Sequence, residues 1–160
     1  MLKRYRCKFN GFQVEPSAGF PVGVRNGMPL TILVVDDDLG IRVAVGDYLE
    51  TLGFVVSSVS SGRAALEGIA QALPHLLVVD IAMPEMSGYE LVRRVRSEGA
   101  MRLLPVIFLT ARNETADRIL GYQVGCDSYL AKPFELEELA TIVKNLLDRN
   151  HLLDRNALLN

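Results

Sequence analysis

The stretch Leu76-Leu77-Val78-Val79-Asp80-Ile81-Ala82-Met83-Pro84 decides the fold. In it, four apolar residues run straight into a carboxylate and a Met-Pro turn follows. An apolar run without polar alternation reads as a strand covered on both faces, the habit of parallel sheets. Asp80 then stands at the carboxyl end of the strand, the edge where open α/β sheets bind their ligands.

The segments on either side repeat the theme. Upstream, Thr31-Ile32-Leu33-Val34-Val35 is a second buried strand, ending in Asp36-Asp37-Asp38. Ile41, Ala44, Val45, Tyr48, Leu49 and Leu52 follow at helical spacing, and Gly53 closes that helix. Phe54-Val55-Val56 opens another strand. Ser60 or Ser61 caps a helix with Ala65, Leu66, Ile69, Ala70 and Leu73 inward, ended by Pro74. Downstream, Ser87 caps a helix that turns Leu91, Val92 and Val95 inward. Pro105 precedes the strand Val106-Ile107-Phe108-Leu109-Thr110. Asn113 can cap a fourth helix with Ala116, Ile119, Leu120 and Val124 on its inner face, closed by Gly125. A short strand, Ser128-Tyr129-Leu130, leads to Lys132-Pro133. The last helix begins near Glu135 and buries Leu136, Leu139, Ala140, Val143 and Leu147.

Five strands joined by helices must be parallel, with right-handed crossovers and helices on both faces. The expected fold is therefore α/β, a doubly wound five-stranded parallel sheet of order 2-1-3-4-5. That order brings the carboxyl ends of strands one, three, four and five to one crevice.

The totals bound the rest. A chain of 160 residues is one domain with flanking segments, and its composition is ordinary for a globular protein. No apolar run approaches the ~20 residues that span a bilayer, so no membrane association is expected. The net charge of −2 gives no global pull towards nucleic acid. Residues 1–30 differ, holding Lys3, Arg4, Arg6, Lys8 and Arg25 against Glu15 alone. Residues 1–29 are aperiodic and read as a flexible N-terminal extension. Met28 is an alternative start, and the basic character leaves a targeting segment open. Residues 30–148 are the expected domain. LLDRN starting at Leu146 is echoed six residues on, and residues 149–160 read as a linker or a helix extension. Within the extension reading, Val143, Leu146, Asn150, Leu153 and Ala157 take three- and four-residue steps, so a homodimer stays open. Cys7 and Cys126 make no disulfide framework, which suits a reducing compartment.

The chemistry gathers at the crevice. Asp36, Asp37, Asp80, Thr110 and Lys132 all stand at strand ends, whereas Asp38 reads as a helix cap. Like charges ~4 Å apart repel by about 4 kcal/mol at an effective dielectric of ~20. Either a proton or a cation must compensate them. Oxygen ligands with no His or Cys nearby suit a hard divalent ion, Mg²⁺ first, and the backbone carbonyl of Ala82 can join them. Lys132, Thr110 and backbone N–H groups supply donors opposite. Donors and a metal around one carboxylate make a socket for an aspartyl phosphate on Asp80, and the small Ala111 leaves the approach open.

These residues resemble the receiver domain of two-component response regulators, the CheY-like fold, over about Thr31 to Leu147. The resemblance rests on ILVVDDD at Ile32–Asp38, VVDIAMPEMSG at Val78–Gly88, LTA at Leu109–Ala111 and YLAKPF at Tyr129–Phe134. It implies that Asp80 is the phosphoacceptor, that Asp37 binds Mg²⁺ directly, and that Asp36 does so through water. It implies that Thr110 and Lys132 contact the phosphoryl group and that the Lys132-Pro133 bond is cis. It further implies that Tyr129 is the switch aromatic, which turns in behind Thr110 and changes the surface of the fourth helix, fifth strand and fifth helix. The phosphate would come from a sensor histidine kinase or phosphotransfer protein, in the cytoplasm. The protein would be no enzyme beyond catalysing its own phosphorylation and dephosphorylation. Thr115–Phe134 resembles regulators from photosynthetic lineages with a helix-turn-helix output, which points to transcriptional regulation. DNA contact would need an output domain, since no basic recognition helix follows Leu147. Departures from the family pattern are Ser87 before Gly88, where an acid is frequent, and the pair Ala82 and Arg112, positions that tune phosphoryl lifetime.

Two other readings remain. A phosphatase or dehalogenase with an Asp nucleophile would want a second acid where Ala82 stands. A flavin or nucleotide binder would want a phosphate-cradling loop where Asp36-Asp37-Asp38 stands.

Overall fold

The structure, a computed structural model, describes residues 22–111 and 114–159. A short hairpin comes first, β1 (Val24–Arg25) and β2 (Met28–Pro29). Then β3 (Thr31–Val35), α1 (Leu39–Thr51), β4 (Val55–Val59), α2 (Gly62–Gln71), β5 (Leu76–Asp80) and α3 (Gly88–Ser97) alternate. They are followed by β6 (Val106–Thr110), α4 (Thr115–Gln123), β7 (Ser128–Ala131) and α5 (Leu136–Leu159). The five long strands form one sheet of order β4-β3-β5-β6-β7, each neighbouring pair parallel. This is the expected order, with β3 standing between β4 and β5.

Alternate residues of each strand face opposite layers. Ile32, Val34, Leu76, Val78, Ile107 and Leu109 pack beneath α1 and α5. Leu33, Val35, Leu77, Val79, Val106 and Phe108 pack beneath α2, α3 and α4. Every residue of β5 and β6 is buried, as double coverage requires. Three helices start on the side chains that the sequence marks. Asp38 Oδ1 accepts from Gly40 N at 2.8 Å and Ile41 N at 3.3 Å. Ser61 accepts from Ala64 N and Ser87 from Glu90 N, each at 3.2 Å. Asn113, the expected cap of α4, lies outside the described residues, as does Arg112.

Three expectations need correction. Residues 24–29, placed in the flexible extension, form a hairpin on the domain. Asn26 and Gly27 take positive φ, 51° and 76°, as a tight hairpin turn demands. Gly23 N donates to Leu52 O at 2.8 Å, and a Cβ on Gly23 would lie 2.2 Å from Phe54 N. Arg25 Nη2 then reaches Leu147 O at 2.8 Å. Residues 1–21 lie outside the described residues. Second, α4 is rotated from the expected face. Ala116 and Ile119 are exposed, and its buried residue is Gly121, because the space there is taken by the Tyr129 ring. Third, α2 stops at Gln71, and Ala70 and Leu73 face outward. Of the two readings for residues 149–160, the helix extension is the one observed, since α5 runs unbroken for 24 residues, about 36 Å at 1.5 Å per residue.

Candidate functional site

Among the described residues three polar ones are buried, Asp36 (1% exposed), Asp80 (5%) and Thr110 (0%), and all stand at or just past strand ends. The parallel register explains their meeting. Val35 pairs with Val79, so Asp36 leaves β3 beside Asp80. Asp80 pairs with Leu109, so Thr110 lies one residue further along β6. Thr110 pairs with Ala131, and Lys132 follows. Lys132 N donates to Thr110 O at 2.8 Å, and the Lys132-Pro133 bond is cis, as expected.

Carboxylate oxygens of Asp36, Asp37 and Asp80 lie within 4.8 Å of one another. Lys132 Nζ sits 2.8 Å from Asp36 Oδ2 and 3.6 Å from Asp80 Oδ1. The ammonium therefore belongs first to Asp36 and only second to the expected acceptor. Asp36 is held further by Asp38 N, which donates to its Oδ1 at 2.9 Å, and Arg42 Nη1 donates to its main-chain oxygen at 2.7 Å.

The electrostatics follow from this division. Burial raises the Asp80 carboxyl to about 6, and the neighbouring charges of Asp36 and Asp37 add to the rise. Lys132 and the backbone N–H of Ala82 oppose it without cancelling it. Lys132 itself is drawn down by burial, but its bond to Asp36 and the charge of Asp80 outweigh that and raise it. The crevice thus holds more negative charge than one ammonium offsets. Its donor set is all oxygen, which fits a hard divalent cation.

The turn after Asp80 is built to stay close. Glu85 takes a positive φ of 65°, and Gly88 N returns to Ile81 O at 2.9 Å. A Cβ on Gly88 would lie 2.5 Å from the main-chain oxygen of Asp80, so only glycine allows this approach. Ala82 and Ala111 are exposed at the mouth. On β7, Tyr129 is partly buried, edge-on to Phe108 with ring centroids 6.4 Å apart. Arg42 and Tyr89 escaped the sequence reading. A long cation on α1 and an aromatic beginning α3 carry no signal until the helices are docked.

A doubly wound sheet with a carboxylate triad, a lysine joined to the following proline by a cis bond and a buried threonine defines the phosphoacceptor module of two-component signalling. The pattern of the response regulator receiver domain matches residues 32–144, and the chain belongs to that family. Two curated relatives are regulators. Response regulator Rre1 of Synechocystis sp. is 44% identical over 122 residues, covering 76% of this chain and 53% of its own. Transcriptional regulatory protein GltR of Pseudomonas aeruginosa is 40% identical over 119 residues, covering 74% and 49%. The chain thus spans about half the length of these relatives. Among solved structures, chemotaxis protein CheY4 of Vibrio cholerae superposes with a TM-score of 0.70 at 31% identity, over 73% of this chain and 98% of that one. A receiver domain is a signalling module, not a member of an enzyme family. Among the described residues no helix is long and apolar enough to cross a membrane.

Proposed function

We propose that Asp80 accepts a phosphoryl group from the phosphohistidine of a sensor kinase or phosphotransfer protein, in the cytoplasm. An oxygen of Asp80 attacks phosphorus in line, the P–N bond breaks, and the histidine nitrogen leaves with a proton from solvent. Hydrolysis of the acyl phosphate reverses the state. Both steps are catalysed by this domain. The observation that carries the reading is the Asp80 carboxylate, buried at a strand end between two further aspartates and one ammonium.

Asp37, Asp80 and the Ala82 carbonyl would hold Mg²⁺, with Asp36 reaching it through water. Bound there, the ion neutralises the charge on the transferring oxygens. The chain's own groups do the rest. Lys132 is anchored on Asp36, so it needs only a small shift to meet a phosphoryl oxygen on Asp80. The Ala82 N–H lowers the pKa of Asp80 and so favours its ionised, nucleophilic form. Thr110 offers its hydroxyl from β6. Its movement towards the phosphoryl group lets Tyr129 follow, and the α4–β7–α5 surface changes. Half-exposed Ile119 and Tyr122 lie on that surface. The changed face controls an output domain, most simply a transcriptional one, or a second copy of the chain.

The test is labelling by acetyl phosphate with and without Mg²⁺. Wild-type protein should take up phosphate in a Mg²⁺-dependent manner, and Asp80→Asn should not. Equal labelling of the two removes Asp80 from the mechanism.

A further inference from the structure

Beside the crevice a second polar connection runs under the surface. Tyr89 follows Gly88, the glycine wedged against the Asp80 carbonyl. Its side chain is buried, edge-on to Phe108 with centroids 5.6 Å apart and planes at 78°. The Tyr89 hydroxyl donates to the main-chain oxygen of Asp117, in the first turn of α4, at 3.1 Å. Tyr129 lies edge-on to the same Phe108 ring, with centroids 6.4 Å apart. A phenol has one proton to give, and Tyr89 gives its proton to the backbone of α4.

We infer that Tyr89 is a latch, a positioning residue whose hydroxyl ties the start of α3 to the first turn of α4 and sets how firmly that helix is held. The inference rests on the reading of Asp80 as phosphoacceptor. It adds a connection that starts at the α3 side of the acceptor loop.

Three observations make the hydroxyl matter beyond filling space. First, α4 has little else to hold it. Gly121 is its one buried residue, Leu120 and Val124 are half-buried, and the side chain of Glu114 at its start makes no cap hydrogen bond. An element with few apolar anchors opens easily, so each polar tie is a large share of its hold. Second, the Tyr129 ring has a fitted slot. A Cβ on Gly121 would lie 2.9 Å from Tyr129 Cδ2 and 3.4 Å from Phe108 Cδ2. The Tyr129 ring in that slot and the Tyr89 ring both lie edge-on to Phe108, so the polar tie from Tyr89 sits beside the ring that packs on α4. Third, Tyr89 is mechanically joined to the acceptor. Gly88 is in contact with the Asp80 main chain, and Gly88 N bonds Ile81 O at 2.9 Å. A shift of the loop on phosphorylation therefore moves the Tyr89 hydroxyl relative to α4.

The experiment compares wild type, Tyr89→Phe, Tyr129→Phe and the double variant of the full chain. It measures amide hydrogen exchange before and after phosphorylation by acetyl phosphate with Mg²⁺, alongside phosphate uptake. Tyr89→Phe should take up phosphate as wild type does. Its α4 amides should exchange about tenfold faster before phosphorylation, the loss of one net hydrogen bond, while the sheet amides stay unchanged. The further change on phosphorylation should shrink. Tyr129→Phe keeps the ring in its slot, so its α4 exchange should stay as in wild type, and the double variant should match Tyr89→Phe.

Unchanged α4 exchange in Tyr89→Phe overturns the latch. So does faster α4 exchange in the double variant than in Tyr89→Phe, and so does a uniform loss of protection across the sheet, which would make Tyr89 plain core packing. Failure of Tyr89→Phe alone to take up phosphate overturns it too, since the residue would then serve the crevice. Failure of wild type to take up phosphate instead removes the acceptor reading and with it the regulatory use of the latch.

Discussion

Replacing Asp80 by Asn should make the metal-free protein more stable, although it removes a buried ion-pair partner. The Asp80 carboxyl is raised from 3.8 to about 6, chiefly by burial and then by Asp36. A folded state that raises an acid's pKa binds the proton more tightly than the unfolded chain does. Stability from this group is therefore greatest at low pH and falls as pH rises from about 4 through 6. A shift of roughly two units at 1.36 kcal/mol each makes the ionised Asp80 cost about 3 kcal/mol at pH 8. At pH 5 the cost is about half of that, because the folded carboxyl is already protonated. Little solvent discount applies, since the residue is 5% exposed. Urea denaturation in EDTA at pH 5 and pH 8 checks this. Asp80→Asn should exceed wild type by about 3 kcal/mol at pH 8 and by about half as much at pH 5. Saturating Mg²⁺ should then raise wild type by about 2.7 kcal/mol at a hundred times its dissociation constant, and the variant by less. Equal stability of the two proteins at pH 8, or a difference that does not change with pH, would refute the electrostatic account of the crevice.

Lys132→Met should destabilise by about 3 kcal/mol, because it leaves buried Asp36 unpaired beside Asp80. Part of that loss should return on adding Mg²⁺, as read by thermal melts. Gly88→Ala should cost about 1–3 kcal/mol in urea denaturation, since its Cβ would press on the Asp80 carbonyl, and should slow labelling by acetyl phosphate. Ser61→Ala should cost about 1 kcal/mol through loss of the α2 cap, with no effect on labelling. Arg25→Ala should speed proteolysis in the Asn26-Gly27 turn, because its bond to Leu147 O is one of the ties that pin the hairpin.

The sheet and the crevice were legible because each rests on a short-range signal. Apolar runs of the right length mark β3, β5 and β6, and parallel order then brings Asp36, Asp80, Thr110 and Lys132 together without further information. What was not legible depends on contacts between distant segments. The strands of the hairpin are two residues each, too short for any period, and only Asn26-Gly27 betrays them. On α4, Ile119 was expected inward on hydrophobicity, but the inner position belongs to Gly121, which carries no hydrophobic signal. It faces inward because Tyr129 needs the room. The preference of Lys132 for Asp36 over Asp80 is a difference of 0.8 Å between two contacts, 2.8 and 3.6 Å, which no spacing rule resolves. The role of Asp38 as a cap, by contrast, was fixed by its place just ahead of a helical period.

The bond from Arg25 to Leu147 has a practical corollary. α5 starts just past the carboxyl end of β7 and runs back along the sheet, so Leu147 meets the hairpin at the edge where β3 begins. Both flanks of the domain therefore emerge from the pole farthest from Asp80. A fluorophore, a bead or a second folded unit tethered at either flank stands behind the sheet. These tether points and the crevice lie at opposite ends of the strands.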